Sequence, residues 1–426
     1  MAARPLDRSA RGLARLRGPR VRRPAVTAAT RGDVAPGFES VRQAFAQAQA
    51  KDAGGAQLAV YQHGVKVVDI WAGRDLARDL PYPGDGIQVL TSATKGIASI
   101  LVHRLAQQGR LDVDAPIGSY WPEFAQNGKA EITLRDVLSH RAGLAQFPAA
   151  DGLRPHDYLD WGRTIASLER MAPFWRPRTA FMYHTFTFGQ LVGEAIRRVT
   201  GDTIGTVFRR EIAEPLALDL WIGLPQELEP RVVPQLVVHQ RVKVGIALRA
   251  WLALDRKDPL VQAVLAVAPH GDGAMRLLNT RKAHAAEFPS GNGIGDARSL
   301  AKLYAATIGD VEGTPRLLSA ATIRRAAAPQ TDGLRSPGSF ARLPDKHPLR
   351  FSSGFEIYRT GNPMLGPHSF GHTGAGGRLA FADPATGVAV GYVCNNMLWD
   401  YSAGPDNRWP GWLHAVGRAV SAGRAA

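Results

Sequence analysis

The sequence contains a single cysteine, Cys394, among its 426 residues. No disulfide can form within the chain, and zinc-finger and iron–sulfur folds, which need several cysteine ligands, are excluded. Long apolar runs are missing as well. The longest, residues 260–268, is interrupted by Gln262 and is far shorter than the ~18 residues that a membrane span needs. The sequence therefore predicts no transmembrane segment, and its lack of disulfides favours a cytoplasmic location.

Three widespread catalytic motifs are missing too. Gly-x-Ser-x-Gly of α/β-hydrolases, His-Glu-x-x-His of zinc peptidases and Gly-Lys-[Ser/Thr] of P-loop enzymes do not occur. Gly291-Asn-Gly-Ile-Gly295 lacks the strand–helix context of a dinucleotide site, and we interpret it as a loop. We therefore expect neither a metal nor a cofactor.

Positive charge is concentrated at the start of the chain. The net charge is +15, and residues 1–35 contain nine arginines against two aspartates. Such a stretch could bind nucleic acid or acidic lipid, and it also resembles a mitochondrial transit peptide. It has no apolar segment after Arg22-Arg23, so it does not predict a secretory signal. We interpret residues 1–33 as a basic, disordered extension and expect no nucleic-acid partner.

Strand-forming segments lie near both ends of the chain. Residues 56–61 and 65–71 flank a short glycine turn and predict a β-hairpin. Residues 351–358, 378–382 and 388–394 predict strands near the other end. Helical patterns fill the middle, which predicts an α+β fold. One antiparallel sheet would be built from both chain ends, flanked by helices, with an inserted, mostly helical domain.

The predicted domains follow from this distribution. Residues 34–109 and 286–426 form the sheet domain, and residues 110–285 form the helical domain. The segment 92–109 is predicted to be a helix that ends at Gly109.

Thr91-Ser-Ala-Thr-Lys-Gly96 is the sharpest candidate for chemistry. Ser92 and Lys95 are three residues apart, so a helix places them on one face. A serine hydroxyl is a weak nucleophile that needs a base beside it, and a desolvated lysine can serve. The helix N-terminus would favour developing negative charge near Ser92. A second Ser-x-x-Lys, Ser299-Leu-Ala-Lys302, lies in an amphipathic pattern, and we interpret Ser299 as a helix-surface or helix-N-terminal serine.

Ser92-Ala-Thr-Lys95 followed by Gly96 resembles the nucleophile motif of serine β-lactamase-like proteins. These include class C β-lactamases, penicillin-binding proteins and family VIII carboxylesterases, and the similarity to the last is strongest. Further stretches match the family in the same order along residues 34–420: 109–116, 120–124, 132–144, 181–201 and 370–377. The resemblance implies the β-lactamase/transpeptidase fold and acyl transfer through a serine.

The resemblance also implies a role for each matching residue. Ser92 is the acylated nucleophile, Lys95 its base partner, and Tyr183 the second proton-transfer group. The backbone N–H groups of Ser92 and Ala375 form the oxyanion hole. The residues implied in substrate binding are Thr185, His372, Thr373 and Gly374.

Two departures from the family pattern bear on the substrate. Thr185 stands where many relatives have asparagine or serine, and His372 replaces the lysine of Lys-Thr-Gly. Histidine is mostly neutral near pH 7, so a permanent cation is missing. The sequence therefore predicts a serine hydrolase, a carboxylesterase for small or short-chain esters. Acyltransferase, D-amino-acid peptidase or amidase and β-lactamase activities on the same acyl-enzyme are the alternatives, and a non-enzymatic binding protein is the alternative from another class.

Three other residues are interpreted as structural. His140 and Cys394 are predicted to pack in the interior. Tyr358 begins a second Tyr-x-Thr and is interpreted as a strand residue.

Overall fold

A computed structural model describes residues 29–236, 255, 257–267, 271–342, 349–359, 362, 364–398 and 406–425. Of the predicted extension, residues 1–28 lie outside the described residues. A strand begins at Arg31, so the boundary predicted at residue 33 falls inside it.

The strands of the described residues are, in chain order, β1 (Arg31–Val34), β2 (Ala56–Gln62), β3 (Val65–Ala72), β4 (Arg74–Asp75), β5 (Leu80–Pro81), β6 (Gln88–Val89), β7 (Leu220–Trp221), β8 (Ile294–Gly295), β9 (Glu356–Ile357), β10 (Phe370–Gly374), β11 (Arg378–Asp383) and β12 (Val388–Cys394). The predicted hairpin and the predicted strands at 378–382 and 388–394 are confirmed. The strand predicted over 351–358 is wrong in length, because only Glu356–Ile357 pairs with β10.

The α-helices of the same ranges are α1 (Glu39–Gln49), α2 (Ala93–Gln107), α3 (Leu134–Leu138), α4 (Trp161–Arg170), α5 (Thr187–Thr200), α6 (Ile204–Phe208), α7 (Pro259–Val267), α8 (Gly271–Leu277), α9 (Arg281–Ala285), α10 (Ala297–Ile308), α11 (Ala320–Ala326) and α12 (Trp409–Ala425). Short 3₁₀ turns lie at Ile117–Ser119, Pro122–Phe124, Ala149–Asp151, Pro155–Leu159, Gln226–Arg231 and Gly338–Arg342, and a π turn at Arg209–Ala213. Within the described ranges, no helix is both long and apolar enough to cross a membrane.

The main sheet is antiparallel and is built from both chain ends, as predicted. Its seven strands run in the order β1-β3-β2-β12-β11-β10-β9. The N-terminal strands join the C-terminal ones where β2 pairs with β12 along its whole length. Helix α2, which begins directly after Ser92, lies next to β10 of this sheet.

Alternation along the strands divides the core into two layers. Leu58 and Val60 of β2 pack with α1 and α12 on one face of the sheet. Ala59 and Tyr61 face the other side, where α2 and α10 lie. The fold is therefore a helix–sheet–helix sandwich with α2 buried against the sheet.

The inserted region is mostly helical, in agreement with the sequence. Its helix α3 begins with a capping box in which Thr133 accepts a hydrogen bond from the Asp136 N–H and Asp136 accepts one from the Thr133 N–H. A small antiparallel sheet, in the order β6-β8-β7, ties this region to the segment that leads into α2.

Candidate active site

The site is built on a tight turn between β6 and α2. Thr91 has a left-handed backbone with φ of +48°, which is uncommon for a β-branched residue. Ser92 follows as the first residue of the helix entry, half-buried, and the helix N-terminus supplies free N–H groups around it. The turn therefore presents Ser92 at the end of a 15-residue helix whose dipole favours negative charge.

Lys95 lies one turn into α2 and is fully buried, with 0% exposure. Its Nζ donates to Ser92 Oγ at 3.3 Å and to the Ser290 carbonyl at 2.6 Å. Burial lowers the pKa of Lys95 to about 7, although the nearby charge of Glu356 opposes this. A substantial fraction of Lys95 is thus neutral near pH 7 and able to accept the Ser92 proton.

Tyr183 lies on the loop that precedes α5. Its ring centroid is 4.8 Å from Lys95 Nζ, and the ring stacks on Phe351 at 5.7 Å. The other side of the ring contacts His140, whose centroid is 4.7 Å away. The structure therefore brings Ser92, Lys95 and Tyr183 together, and the half-buried Thr185 follows on the same loop.

Two buried imidazoles support this loop. His140 Nδ1 accepts a hydrogen bond from the His184 N–H at 3.1 Å. His184 Nε2 accepts from the Leu144 N–H, and its Nδ1 donates to the Met182 carbonyl. Burial lowers the pKa of His184 to about 4 and that of His140 far below its usual range, so both stay neutral. His140 is thus the packed structural histidine that the sequence predicted.

The end of β10 forms the opposite wall. A Cβ on Gly374 would lie 2.4 Å from the Leu90 carbonyl and 2.5 Å from Thr91 Oγ1, so only glycine allows this close approach. The next residue, Ala375, lies beside the nucleophile turn and accepts a hydrogen bond from the Thr91 hydroxyl at 3.0 Å. The two backbone N–H groups expected to form the oxyanion hole thus belong to adjoining segments.

His372 lies inside this wall, with only 1% of its surface exposed. Its Nδ1 donates to the Thr373 carbonyl at 2.7 Å and lies 3.4 Å from Glu356 Oε1. Burial lowers the pKa of His372, and the charge of Glu356 opposes the change. The imidazole is therefore neutral near pH 7 and is embedded in the wall of the site.

Helix α2 approaches β10 closely because of Gly96. A Cβ on Gly96 would lie 2.2 Å from Tyr304 Oη and 3.2 Å from His372 Cβ. The glycine after Lys95 in the motif therefore has a packing role, since it lets α2, α10 and β10 meet behind the nucleophile.

Two contributors were not predicted from the sequence. Ser290 supplies the carbonyl that holds Lys95, and its own hydroxyl donates to the Phe186 carbonyl at 2.6 Å. It directly precedes Gly291–Gly295, which we had interpreted as a loop and which contains β8. Glu356 is the second, and a carboxylate between the apolar residues Phe355 and Ile357 was the available signal.

The second Ser-x-x-Lys copy has a different surrounding. Ser299 is buried, and its Oγ accepts a hydrogen bond from the Asp219 N–H at 2.9 Å. Lys302 forms an ion pair with Glu312 at 2.8 Å. Ser299 lies in the first turn of α10, as the helix-N-terminal alternative predicted. The surface alternative was wrong, because this turn packs against the segment before β7. The lysine of this copy, Lys302, is therefore ion-paired with a carboxylate, which favours its protonated form.

The remaining candidates lie away from the nucleophile. Cys394 is buried, and its thiol donates to the Gly376 carbonyl. Tyr358 follows β9 and is partly exposed. In the described part of the chain, no group of three or more His, Cys, Asp or Glu side chains is arranged to hold a metal ion.

Known beta-lactamase-family proteins are similar to this chain in sequence and in fold. Residues 41–409 match the family model described as Beta-lactamase. A relative from Mycobacterium tuberculosis (strain ATCC 25618 / H37Rv), Esterase/beta-lactamase LipL, is 34% identical over 411 residues, covering 92% of this chain and 89% of the relative. The structure of a family VIII carboxylesterase has a TM-score of 0.76 at 32% identity, covering 92% of this chain and 99% of that one. A penicillin-binding protein homologue from Caulobacter crescentus has a TM-score of 0.77 at 34% identity, with the same coverage.

Proposed function

The chain belongs to the beta-lactamase family, and we propose that it is a carboxylesterase that hydrolyses small or short-chain esters through an acyl-enzyme on Ser92. It is a serine hydrolase of this family, and esterases are well represented among its relatives. The proposal concerns the finer points: the bond that is cleaved, the class of substrate and the residues that act.

The pairing of Lys95 with Ser92 carries the proposal. The two side chains are 3.3 Å apart at the N-terminus of a helix, and the amine is fully buried. A base works best when its pKa lies near the working pH, and burial brings the pKa of Lys95 to about 7. Neither residue alone would suffice, since the hydroxyl needs the base and an exposed lysine would stay protonated.

Acylation follows from this arrangement. Ser92 Oγ attacks the ester carbonyl carbon while Lys95 Nζ takes its proton. The carbonyl oxygen becomes an oxyanion, which the N–H groups of Ser92 and Ala375 stabilise by hydrogen bonding. The tetrahedral intermediate then breaks its bond to the alkoxy oxygen, and the proton passes from Lys95, with Tyr183 as the relay, to the departing alcohol.

Deacylation repeats the steps with water in place of the alcohol. Water attacks the acyl carbon and gives its proton to the Lys95–Tyr183 pair. The second tetrahedral intermediate releases the carboxylic acid and returns the proton to Ser92 Oγ. The overall reaction consumes one ester and one water and yields one acid and one alcohol.

The surroundings favour a neutral substrate. His372 is buried and neutral near pH 7, so it offers no permanent cation to a substrate carboxylate. On the side of Thr185 the wall is aromatic, with the rings of Phe186 and Phe288 stacked 6.5 Å apart. An uncharged acyl group suits such a wall better than a carboxylate does.

A second candidate is β-lactam hydrolysis on the same acyl-enzyme. One observation favours it, since LipL bears both the esterase and the beta-lactamase names. In this alternative, Ser92 is acylated by the β-lactam amide carbonyl, whereas in the esterase proposal it is acylated by an ester carbonyl.

A substrate panel tests the proposal. p-Nitrophenyl esters of graded acyl length and nitrocefin should be assayed with the wild-type protein and with Ser92→Ala. We expect short-chain esters to be hydrolysed with a far higher kcat/KM than nitrocefin, and both activities to disappear in the variant. A preference for nitrocefin would favour β-lactamase activity over the esterase proposal. Ester hydrolysis that persists in Ser92→Ala would show that Ser92 is not the nucleophile.

A further inference from the structure

A buried carboxylate lies behind the site and takes no part in the steps above. Glu356, on β9, is almost fully enclosed. Its Oε1 accepts hydrogen bonds from the Thr373 N–H at 3.1 Å and from the Thr373 hydroxyl at 2.5 Å. The same oxygen lies 3.4 Å from His372 Nδ1. One carboxylate oxygen thus contacts two successive residues of the strand that walls the site.

The other oxygen of Glu356 is not satisfied. Within the described residues, Glu356 Oε2 has no hydrogen-bond partner, and the same is true of Tyr304 Oη and His372 Nε2 around it. A buried carboxylate with a free oxygen is costly, and an apolar residue of similar size would pack there at lower cost. Groups kept at such a cost cluster at functional sites.

Glu356 is ionised in this position. Burial opposes the charged form, but His372, Arg359 and the hydrogen bonds from Thr373 outweigh it and hold the pKa of Glu356 below its usual range. A negative charge is therefore fixed behind β10 at neutral pH.

The groups that face Lys95 come from every element packed around it. They are Ser92 on its own helix, His140 after α3, Tyr183 and His184 on the loop before α5, the Ser290 carbonyl before β8, Glu356 on β9 and His372 on β10. Tyr304 of α10 packs against the adjacent Gly96. The three imidazoles have lowered pKa values and are neutral at pH 7. In the described part of the chain, Glu356 is the one charged group that acts on the pKa of Lys95.

We propose that Glu356 is a positioning residue of this site, which anchors the His372–Thr373 strand and places a negative charge behind His372, where β10 meets α2 at Gly96. The inference rests on the proposed function, since Lys95 must act as the base. Glu356 acts through Thr373 and Lys95 and does not itself touch the substrate.

The two effects can be separated by substitution. Glu356→Gln keeps an oxygen that accepts from Thr373 but removes the charge, so the pKa of Lys95 should fall. The acidic limb of kcat/KM for a p-nitrophenyl ester should move to lower pH. Glu356→Asp keeps the charge and should restore the wild-type limb. Glu356→Ala also removes the acceptor, and its plateau rate should fall about tenfold.

A matched control is available in the same sheet. Asp383, at the far end of β11, is a buried carboxylate that accepts from the Ser369 hydroxyl and the Thr386 N–H. Asp383→Asn should lower the melting temperature without moving the acidic limb. If Glu356 were merely structural, Glu356→Gln would behave in the same way, and that outcome overturns the inference.

A second readout separates this inference from the proposed function. The rate at which a fluorophosphonate labels Ser92 depends on Lys95 but not on the ester chosen, and its pH profile should shift in Glu356→Gln as the ester profile does. Turnover that survives in Ser92→Ala would sink the proposed function. If Ser92→Ala is inactive but the pH profile of Glu356→Gln matches that of the wild type, the proposed function stands and the role of Glu356 is refuted.

If Glu356→Gln does not fold, the wild-type protein still provides a test. The ¹³C signal of the Glu356 carboxylate, assigned by its change in Glu356→Asp, should show the ionised form from about pH 5 upward. A carboxyl group that is protonated at pH 7 would overturn the proposal.

Discussion

The hydroxyl of Thr91 donates a 3.0 Å hydrogen bond to the carbonyl oxygen of Ala375. The bond joins the nucleophile turn to the residue that follows β10. Arg378 donates to the same carbonyl at 2.9 Å, from a fully buried guanidinium. The Thr91 hydroxyl also contacts the Leu90 carbonyl at 2.8 Å, so it shares its proton between the two carbonyls. Arg378 and Thr91 together hold the Ala375 peptide next to the turn that carries Ser92.

This relationship predicts an effect on rate. Thr91→Ala removes the hydroxyl and frees Ala375 on one side, so kcat/KM for a short-chain ester should fall about fivefold, equivalent to a net hydrogen bond of about 1 kcal/mol. Thr91→Ser keeps the hydroxyl and should retain most of the activity. Equal rates in the two variants would show that the bond does not position the oxyanion hole.

The two Ser-x-x-Lys copies should respond differently to substitution. Ser92→Ala should abolish turnover and leave the melting temperature nearly unchanged. Ser299→Ala leaves the part-buried Asp219 N–H without this acceptor, so it should cost about 0.5–1.5 kcal/mol of stability while kcat stays near that of the wild type. Chemical denaturation and ester kinetics on the two variants check this. Loss of turnover in folded Ser299→Ala would refute the assignment of the nucleophile.

The pKa of Lys95 predicts the pH profile. The neutral amine is the base, so kcat/KM should be constant above the pKa and fall tenfold per pH unit below it. With burial lowering that pKa to about 7, the acidic limb should begin near neutrality. Lys95→Arg should be inactive throughout, because a guanidinium does not lose its proton in this range. A flat profile down to pH 5 would exclude Lys95 as the base.

The same pKa predicts how stability varies with pH. Lys95 titrates near 7 when folded and near ~10.4 when unfolded, so between these values the unfolded chain binds the extra proton. Burial of the charged amine thus lowers the free energy of unfolding by its full amount below pH 7, and this loss disappears as the pH rises toward 10. Lys95→Met should be more stable than the wild type by about 2–4 kcal/mol at pH 7, and the gap should narrow at pH 9. Denaturant titrations at both pH values measure it, and a constant gap would contradict the prediction.

The N-terminal boundary can be tested with two truncations. Removing residues 1–28 should leave ester turnover close to that of the full chain, since none of the residues that we propose to act belongs to this segment. Removing residues 1–34 deletes β1, which pairs with β3 and accepts hydrogen bonds from Arg42 at the Thr30 and Gly32 carbonyls. The longer truncation should lower the melting temperature measurably. Equal stability of the two proteins would mean that β1 contributes nothing to the sheet.

Much of the fold could be predicted because it depends on local patterns. The hairpin of β2 and β3 follows from two β-rich runs around a glycine turn, and α2 ends where glycine stops it. The ordered motifs then indicate which segments meet. Ser92, Lys95 and Tyr183 converge as the resemblance implied, although they come from two separate segments.

The unpredicted parts depend on contacts between distant residues. The Ser290 carbonyl accepts a hydrogen bond from Lys95, 195 positions earlier in the chain. No local sequence pattern predicts which backbone carbonyl will accept such a bond. Glu356 looked like any strand residue, because its importance comes from contacts with His372 and Thr373 on the neighbouring strand β10. The burial of His372 and Ser299 likewise follows from packing between elements, which the composition of one element does not reveal.

The pairing of N-terminal with C-terminal strands in the main sheet also determines when activity can appear during synthesis. Gly55 donates a 2.7 Å hydrogen bond to Asn395, 340 residues later, next to the pairing of β2 with β12. Such long-range pairing folds slowly, because the intervening chain must be brought together first. A nascent chain that ends before β10 already contains Ser92 and Lys95 but has neither Ala375 nor the carboxylate-anchored strand. The growing polypeptide is therefore expected to carry its nucleophile without hydrolytic activity until the C-terminal strands have left the ribosome and joined the hairpin.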